Sequence, residues 1–190
     1  MKFMHIAAAA LACSTIAASS AFAQDPTAVT GSLTAADVGV SPITGLSASD
    51  YVNASADGDL FEIASSRLAL TKSKNANIKS FARQMIADHT TTSKSIDAAL
   101  VNGDRKITKP STKMSVANAS KIELLKKAPK ANFDQLYMQQ QMQAHQVAWS
   151  VQKGYVLDGN DPALKQVAST ALPIIERHVM SLKQSTMNPM

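Results

Sequence analysis

The chain has one cysteine in 190 residues, Cys13, and it falls inside a segment read below as an export signal. Residues 24–190 therefore carry no thiol. That excludes disulfides, thiolate catalysis and the C-x-x-C-H attachment of c-type haem, even in an oxidising compartment. Aromatic residues are 5% of the chain, which leaves few rings for bases to stack on, so no nucleic-acid partner is expected. No apolar run reaches the length of a transmembrane span. Alternating strand patterns and internal repeats are absent. So are H-E-x-x-H, a Gly-rich phosphate loop and a Ser/His/Asp order. Buried histidines without an exposed nucleophile make poor general bases, so the chain is not expected to be an enzyme.

What is present begins with Met1-Lys2, a short apolar run at Ile6–Ala12, and Ala21-Phe22-Ala23. These read as a signal peptide, residues 1–23, cleaved after Ala23, which gives a periplasmic protein. Lipid attachment at Cys13 is disfavoured, because such sites want a larger aliphatic where Ala10 stands. Residues 24–48 are rich in Ser, Thr, Gly, Ala and Pro without periodicity and read as a flexible leader. A helical domain over 49–184 and a C-terminal tail over 185–190 complete the chain. The net charge of +5 is mild, but it is uneven. Arg105, Lys106, Lys109, Lys113, Lys121, Lys126, Lys127 and Lys130 face only Asp104 and Glu123 across residues 103–130. A solvated connection accounts for this. The sharper reading is contact with an anionic surface, the partner being an unidentified envelope component.

Four helical segments are expected, over about 49–72, 77–101, 133–158 and 162–182. Ser49 is a plausible N-cap of the first, Asn102-Gly103 ends the second, and Asp161-Pro162 opens the fourth as N-cap and N1. Short connections make each consecutive pair an antiparallel hairpin. The long link over 102–132, with a helical patch at Ala119–Lys127, suits a ferritin-like crossover between two hairpins better than an up-and-down bundle.

The stripe Ile78, Ala82, Met85, His89, Thr92 and Ile96 faces a core, with a histidine in the middle of it. His145 lies on the seam Met138, Met142, His145, Trp149 and Val156. His178 lies on Leu164, Ala168, Ala171, Ile175, His178 and Leu182. Each histidine beyond residue 23 thus takes a seam position on a different helix. On the first helix Glu62 neighbours the small residues Gly58, Ser65 and Ala69. The rise of ~1.5 Å per residue puts Glu62 and His89 at nearly the same depth, and His145 and His178 within ~6 Å of each other. Buried polar groups need partners. Glu62, His89, His145 and His178 either bond to one another inside a non-catalytic interaction or stress module, or hold one transition-metal ion. Three nitrogens and an oxygen suit zinc, nickel or copper; Met85 and Met142, on the faces of His89 and His145, would add soft sulfur for copper. Glu176 and Asp88 are expected on solvated faces or in local ion pairs. A metal-free cluster is expected to hold one imidazole charged by Glu62 and the others neutral.

LFEIASSRLAL (60–70), IKSFARQMIADHTTTSKSI (78–96), FDQLYMQQQMQAHQVA (133–148) and ALPIIERHVMSL (171–182) resemble the exported domain family DUF4142, in order and spacing, over about residues 49–184. Glu62, Met85, Asp88, His89, His145, Pro173 and His178 stand where the family pattern has those residues. The resemblance implies a ferritin-like four-helix bundle in a bacterial cell envelope and says little about activity. Carboxylate-bridged di-iron sites need Glu-x-x-His on two helices. Here Ile86, Met142 and Ile175 stand three residues before the histidines. With Glu62 as the one carboxylate on a seam, ferroxidase and di-iron oxidase activity are not expected.

Overall fold

The structure is a computed structural model describing residues 32–101 and 106–187. The expected signal peptide, residues 24–31 of the expected leader, the Asn102-Gly103 stop, Asp104, Arg105 and residues 188–190 lie outside the described residues. The described residues form helices and no strands: α1 (Ala35–Val38), α2 (Ala48–Lys72), α3 (Ala76–Ala99), α4 (Val116–Lys127), α5 (Lys130–Asp158) and α6 (Pro162–Met187). None of these helices is long and apolar enough to cross a membrane.

Local chemistry sets the helix ends. Ser47, rather than Ser49, caps α2 by accepting from the Asp50 amide. Asn75 accepts from the amides of Asn77 and Ile78 at the start of α3. Asp161 accepts from Leu164 N ahead of α6 at 2.9 Å. Each such cap is worth ~1 kcal/mol. The α2–α3 connection is only residues 73–75, so the two helices must return along each other. α2 packs along α3 and α5 along α6, while α2 also lies on α5 and α3 on α6. α4 is the helical patch of the long link. Asp57 holds its start, through Ser115 N at 2.6 Å and Asn118 Nδ2 at 2.8 Å. Lys72 Nζ holds its end, donating to Leu125, Lys126 and Ala128 carbonyls at 2.7–3.1 Å.

Phe61, Ala69, Ile78, Ala82, Phe133 and Tyr137 form one apolar cluster, with Ile122 and Leu125 of α4. Tyr51, Val52, Ile96, Val151, Tyr155, Leu164 and Ala168 form another. Along α3 and α5 the site residues fall between these two clusters, as does Asp59 on α2, while Glu62 follows Phe61 directly; a third cluster, Val38, Trp149, Ala171, Leu172, Ile175 and Val179, flanks His178 on α6. The expected stripes of α3 and α6 are buried, except for half-buried Thr92. The stripe of α2 differs: Ala54 is exposed, and Ser55, Asp59, Glu62 and Ser66 are buried. The α5 methionines Met138 and Met142 are half-buried.

The leader expected over 24–48 is a different object from residue 32 onward. Thr34 and Asp37 close a capping box on α1, and Val38 is buried. The segment then runs alongside α5. Gln146 Nε2 donates to Val38 O at 3.0 Å, Ser150 Oγ to Ser41 O at 2.8 Å, Ile43 N to Ser150 O at 2.9 Å, and Gly45 N to Asp158 Oδ2 at 2.7 Å. Gly154 makes the approach possible, since a Cβ there would sit 1.8 Å from Ile43 O. An extended strap held by main-chain bonds has no hydrophobic period, so its composition resembles that of a loose leader. At the other end, α6 continues to Met187 and takes in the first residues of the expected tail.

Candidate metal centre

Four helices bring their polar residues to one layer. α2 supplies Asp59 and Glu62, three residues apart and so on one face. α3 supplies Asp88, His89, Thr92 and Ser93; α5 supplies Gln141 and His145; α6 supplies His178. Glu62, His89, His145 and His178 are all buried. His89 Nδ1 is 2.8 Å from Asp59 Oδ1 and 3.1 Å from Glu62 Oε2. His145 Nδ1 is 2.9 Å from Gln141 O and 3.2 Å from Glu62 Oε1. His178 Nε2 is 2.8 Å from Asp88 Oδ2. The ring centroids lie 5.1–5.6 Å apart.

The acceptors fix the tautomers. Carboxylates and backbone carbonyls only accept, so a neutral imidazole must present N–H to them. His89 donates from Nδ1 to Asp59, His145 from Nδ1 to Gln141 O, and His178 from Nε2 to Asp88. The nitrogens left over are His89 Nε2, His145 Nε2 and His178 Nδ1; each has a bare lone pair when its ring is neutral, and His89 Nε2 carries a proton while that ring is charged. His89 Nε2 is buried and has no hydrogen-bond partner. His145 Nε2 and His178 Nδ1 face each other at 3.1 Å, two acceptors when both rings are neutral and donate outward to Gln141 O and Asp88. One ring nitrogen from each histidine lies within 4.8 Å of the others.

Electrostatics separate the rings. Burial pushes His145 well below the ordinary imidazole range, and the neighbouring His178 and His89 push it further. Burial also lowers His178, to about 4, against the opposing hydrogen bond to Asp88. For His89 burial is outweighed by Glu62 and Asp59, which raise it to about 9. Burial raises Glu62 to about 7, even with His89 opposing. Asp88 is lowered: its burial is outweighed by hydrogen bonds from His178 and Gln84 and by nearby positive charge. Without metal, His89 is the charged ring and the other two are neutral, as the expected division between one charged and two neutral imidazoles requires.

All four expected residues meet, but Glu62 and His178 address opposite edges of His145. The layer also holds two carboxylates that the expectation omitted. Asp59 accepts from Thr92 and Ser93 hydroxyls at 2.8–2.9 Å as well as from His89. Those donors occupy its lone pairs and make it an anchor for His89. Asp88 was expected on a solvated face or in a local ion pair; it bonds across to His178, ninety residues away. Glu176, also expected outside, is buried, and its Oε1 accepts from Trp149 Nε1 at 3.1 Å, Ser32 Oγ at 2.8 Å and Leu33 N at 3.1 Å. It ties the strap to α5 and α6. The premise of a single seam carboxylate therefore does not hold. Met85 is buried one turn before His89.

Fold and layer together define a helical-bundle protein with a buried histidine–carboxylate centre. A family model, DUF4142, described as a domain of unknown function, matches residues 33–184. The chain belongs to that family. The match takes in the strap as well as the long helices. No curated protein and no solved structure matches the chain.

Proposed function

We propose that this chain is an exported, non-catalytic protein of the bacterial envelope, a ferritin-like bundle of two hairpins that holds one transition-metal ion on His89, His145 and His178. The observation that carries this is the convergence of three buried ring nitrogens. Two neutral imidazoles face each other 3.1 Å apart, and the third ring, His89, keeps a buried Nε2 with no hydrogen-bond partner; a metal ion entering the layer displaces the His89 proton and takes up all three lone pairs. Metal–nitrogen bonds of ~2.0–2.1 Å at a tetrahedral angle put ligand nitrogens roughly 3.3 Å apart, close to that spacing.

The outer nitrogens support the same reading. A metal-bound histidine donates its second N–H to a carboxylate or carbonyl that fixes the ring and raises its basicity. Asp59, Gln141 O and Asp88 do this for the three rings in turn, and Glu62 lies against the outer nitrogens of both His89 and His145. Glu62 is therefore assigned to the supporting shell in this resting geometry. Three imidazoles favour zinc, copper or nickel over hard ions such as magnesium.

The test is metal analysis of the native protein purified from its own periplasm, beside His145→Ala and Glu62→Ala. One ion per chain is expected in the native protein, a loss of binding in His145→Ala, and weakened binding in Glu62→Ala. Equal metal content in all three would end the proposal and leave the alternative, a metal-free polar layer in an interaction module.

A further inference from the structure

The exposed side of α4 has no role in the centre. Val116, Ser120, Leu124 and Lys127 recur at steps of four, four and three, so they share one helix face. All four are exposed, Val116 to 85% and Leu124 to 57%. The opposite face, Ile122 and Leu125, is buried in the bundle. Lys113 precedes the helix, Lys126 and Lys127 end it, and Lys130 opens α5, all of them exposed. Lys106 and Lys109 add exposed charge earlier in the same link. Among described residues 106–130 the one acidic side chain is Glu123, and it is bonded to Lys126 at 2.8 Å. Asp57 and Lys72 pin both ends of α4, so this face is held outward. It combines two bare aliphatic side chains with Lys127 on the same face, exposed lysines before and after the helix, and one acidic side chain, which Lys126 already pairs.

We infer that this face of α4 and its flanking lysines bind the anionic headgroups of a lipid bilayer, with Val116 and Leu124 entering the interfacial zone. Each lysine near an anionic surface adds to the attraction, and salt screens it. Shallow insertion of apolar side chains distinguishes a bilayer from a soluble polyanion. The contact is peripheral and reversible. The inference rests on the envelope location proposed above and is independent of the metal.

Co-sedimentation with vesicles of phosphatidylcholine, with and without a third of phosphatidylglycerol, tests it on the full mature protein. Binding is expected to the anionic vesicles alone at low salt, to fall at least tenfold in 0.5 M salt, and to fall at least tenfold in Lys126→Glu/Lys127→Glu. Val116→Ser/Leu124→Ser keeps the charge and should still lose several-fold. These positions are exposed, so the variants should fold, which far-ultraviolet dichroism checks. No binding to anionic vesicles at low salt overturns the inference. So does undiminished binding of Val116→Ser/Leu124→Ser, which marks a polyanion site without insertion. His145→Ala should bind vesicles like the native protein, so failure here and failure of the metal reading are told apart.

Discussion

Asp59 and His89 meet across two helices, with Asp59 Oδ1 2.8 Å from His89 Nδ1. Thr92 and Ser93, one turn further along α3, donate to the same carboxylate. The carboxylate is thereby fixed, and it fixes the ring in turn, leaving Nε2 directed away from it. This contact orients the only imidazole of the three that carries charge when metal is absent.

Removing the charge while keeping the shape should expose that role. Asp59→Asn is predicted to weaken zinc binding 10- to 100-fold, the usual effect of losing such a partner, with helical content unchanged. Competition against a chromophoric chelator measures it. An affinity equal to native would show that Asp59 does not support the ring.

The metal-free protein should be most stable between about pH 6 and 7. His145 and His178 lie below their ordinary value of 6.5, the latter at about 4. The unfolded chain binds those two protons first, so their contribution is complete above pH 6.5 and is lost as pH falls toward 4. Glu62, raised from 4.5 to about 7, works in the opposite direction but offsets only one proton. His89, raised from 6.5 to about 9, stabilises below 6.5 and loses that contribution as pH rises through 9. Urea midpoints in chelator from pH 4.5 to 9.5 should trace a dome. A flat profile would mean the rings are solvated.

Two glycines should respond with opposite signs. Gly154→Ala drives a methyl into the backbone at Ile43, 1.8 Å from its oxygen, and should cost ~1–3 kcal/mol or release the strap. Gly58→Ala meets only Glu62 Oε2, at 3.9 Å, and should gain up to ~1 kcal/mol of helix propensity. Equilibrium urea unfolding separates them, and equal effects would contradict the packing described.

Glu176→Ala should strand three donors, the Trp149 indole, the Leu33 amide and the Ser32 hydroxyl. A loss of ~1–3 kcal/mol is expected for each of these that stays dry. Trp149 is the sole tryptophan, so its emission reports directly, and a red shift is expected as the strap loosens. Native emission with native stability would remove Glu176 from the strap's support.

The long helices were legible because α3 and α6 carry strong apolar periods, and Asp161-Pro162 marks the start of α6. The three histidines were legible for the same reason, as polar residues placed on apolar stripes. The buried face of α2 was harder, since Ser55, Asp59, Glu62 and Ser66 give it little apolar contrast. Asp59 nevertheless carried a signal, since it stands three residues before Glu62 on one face. Asp88 and Glu176 carried less. Each stands beside or near a seam histidine rather than on its stripe, and only the packing of a neighbouring helix or of the strap brings a partner to it. The strap left no periodic trace at all.

The central claim is that three imidazoles share one ion. X-ray absorption at the metal edge, on protein loaded with one equivalent of zinc, tests this most directly. The account predicts an inner shell with three imidazole nitrogens at ~2.0–2.1 Å, falling to two in His178→Ala. A shell of oxygens alone, or a spectrum unchanged in that variant, would contradict it.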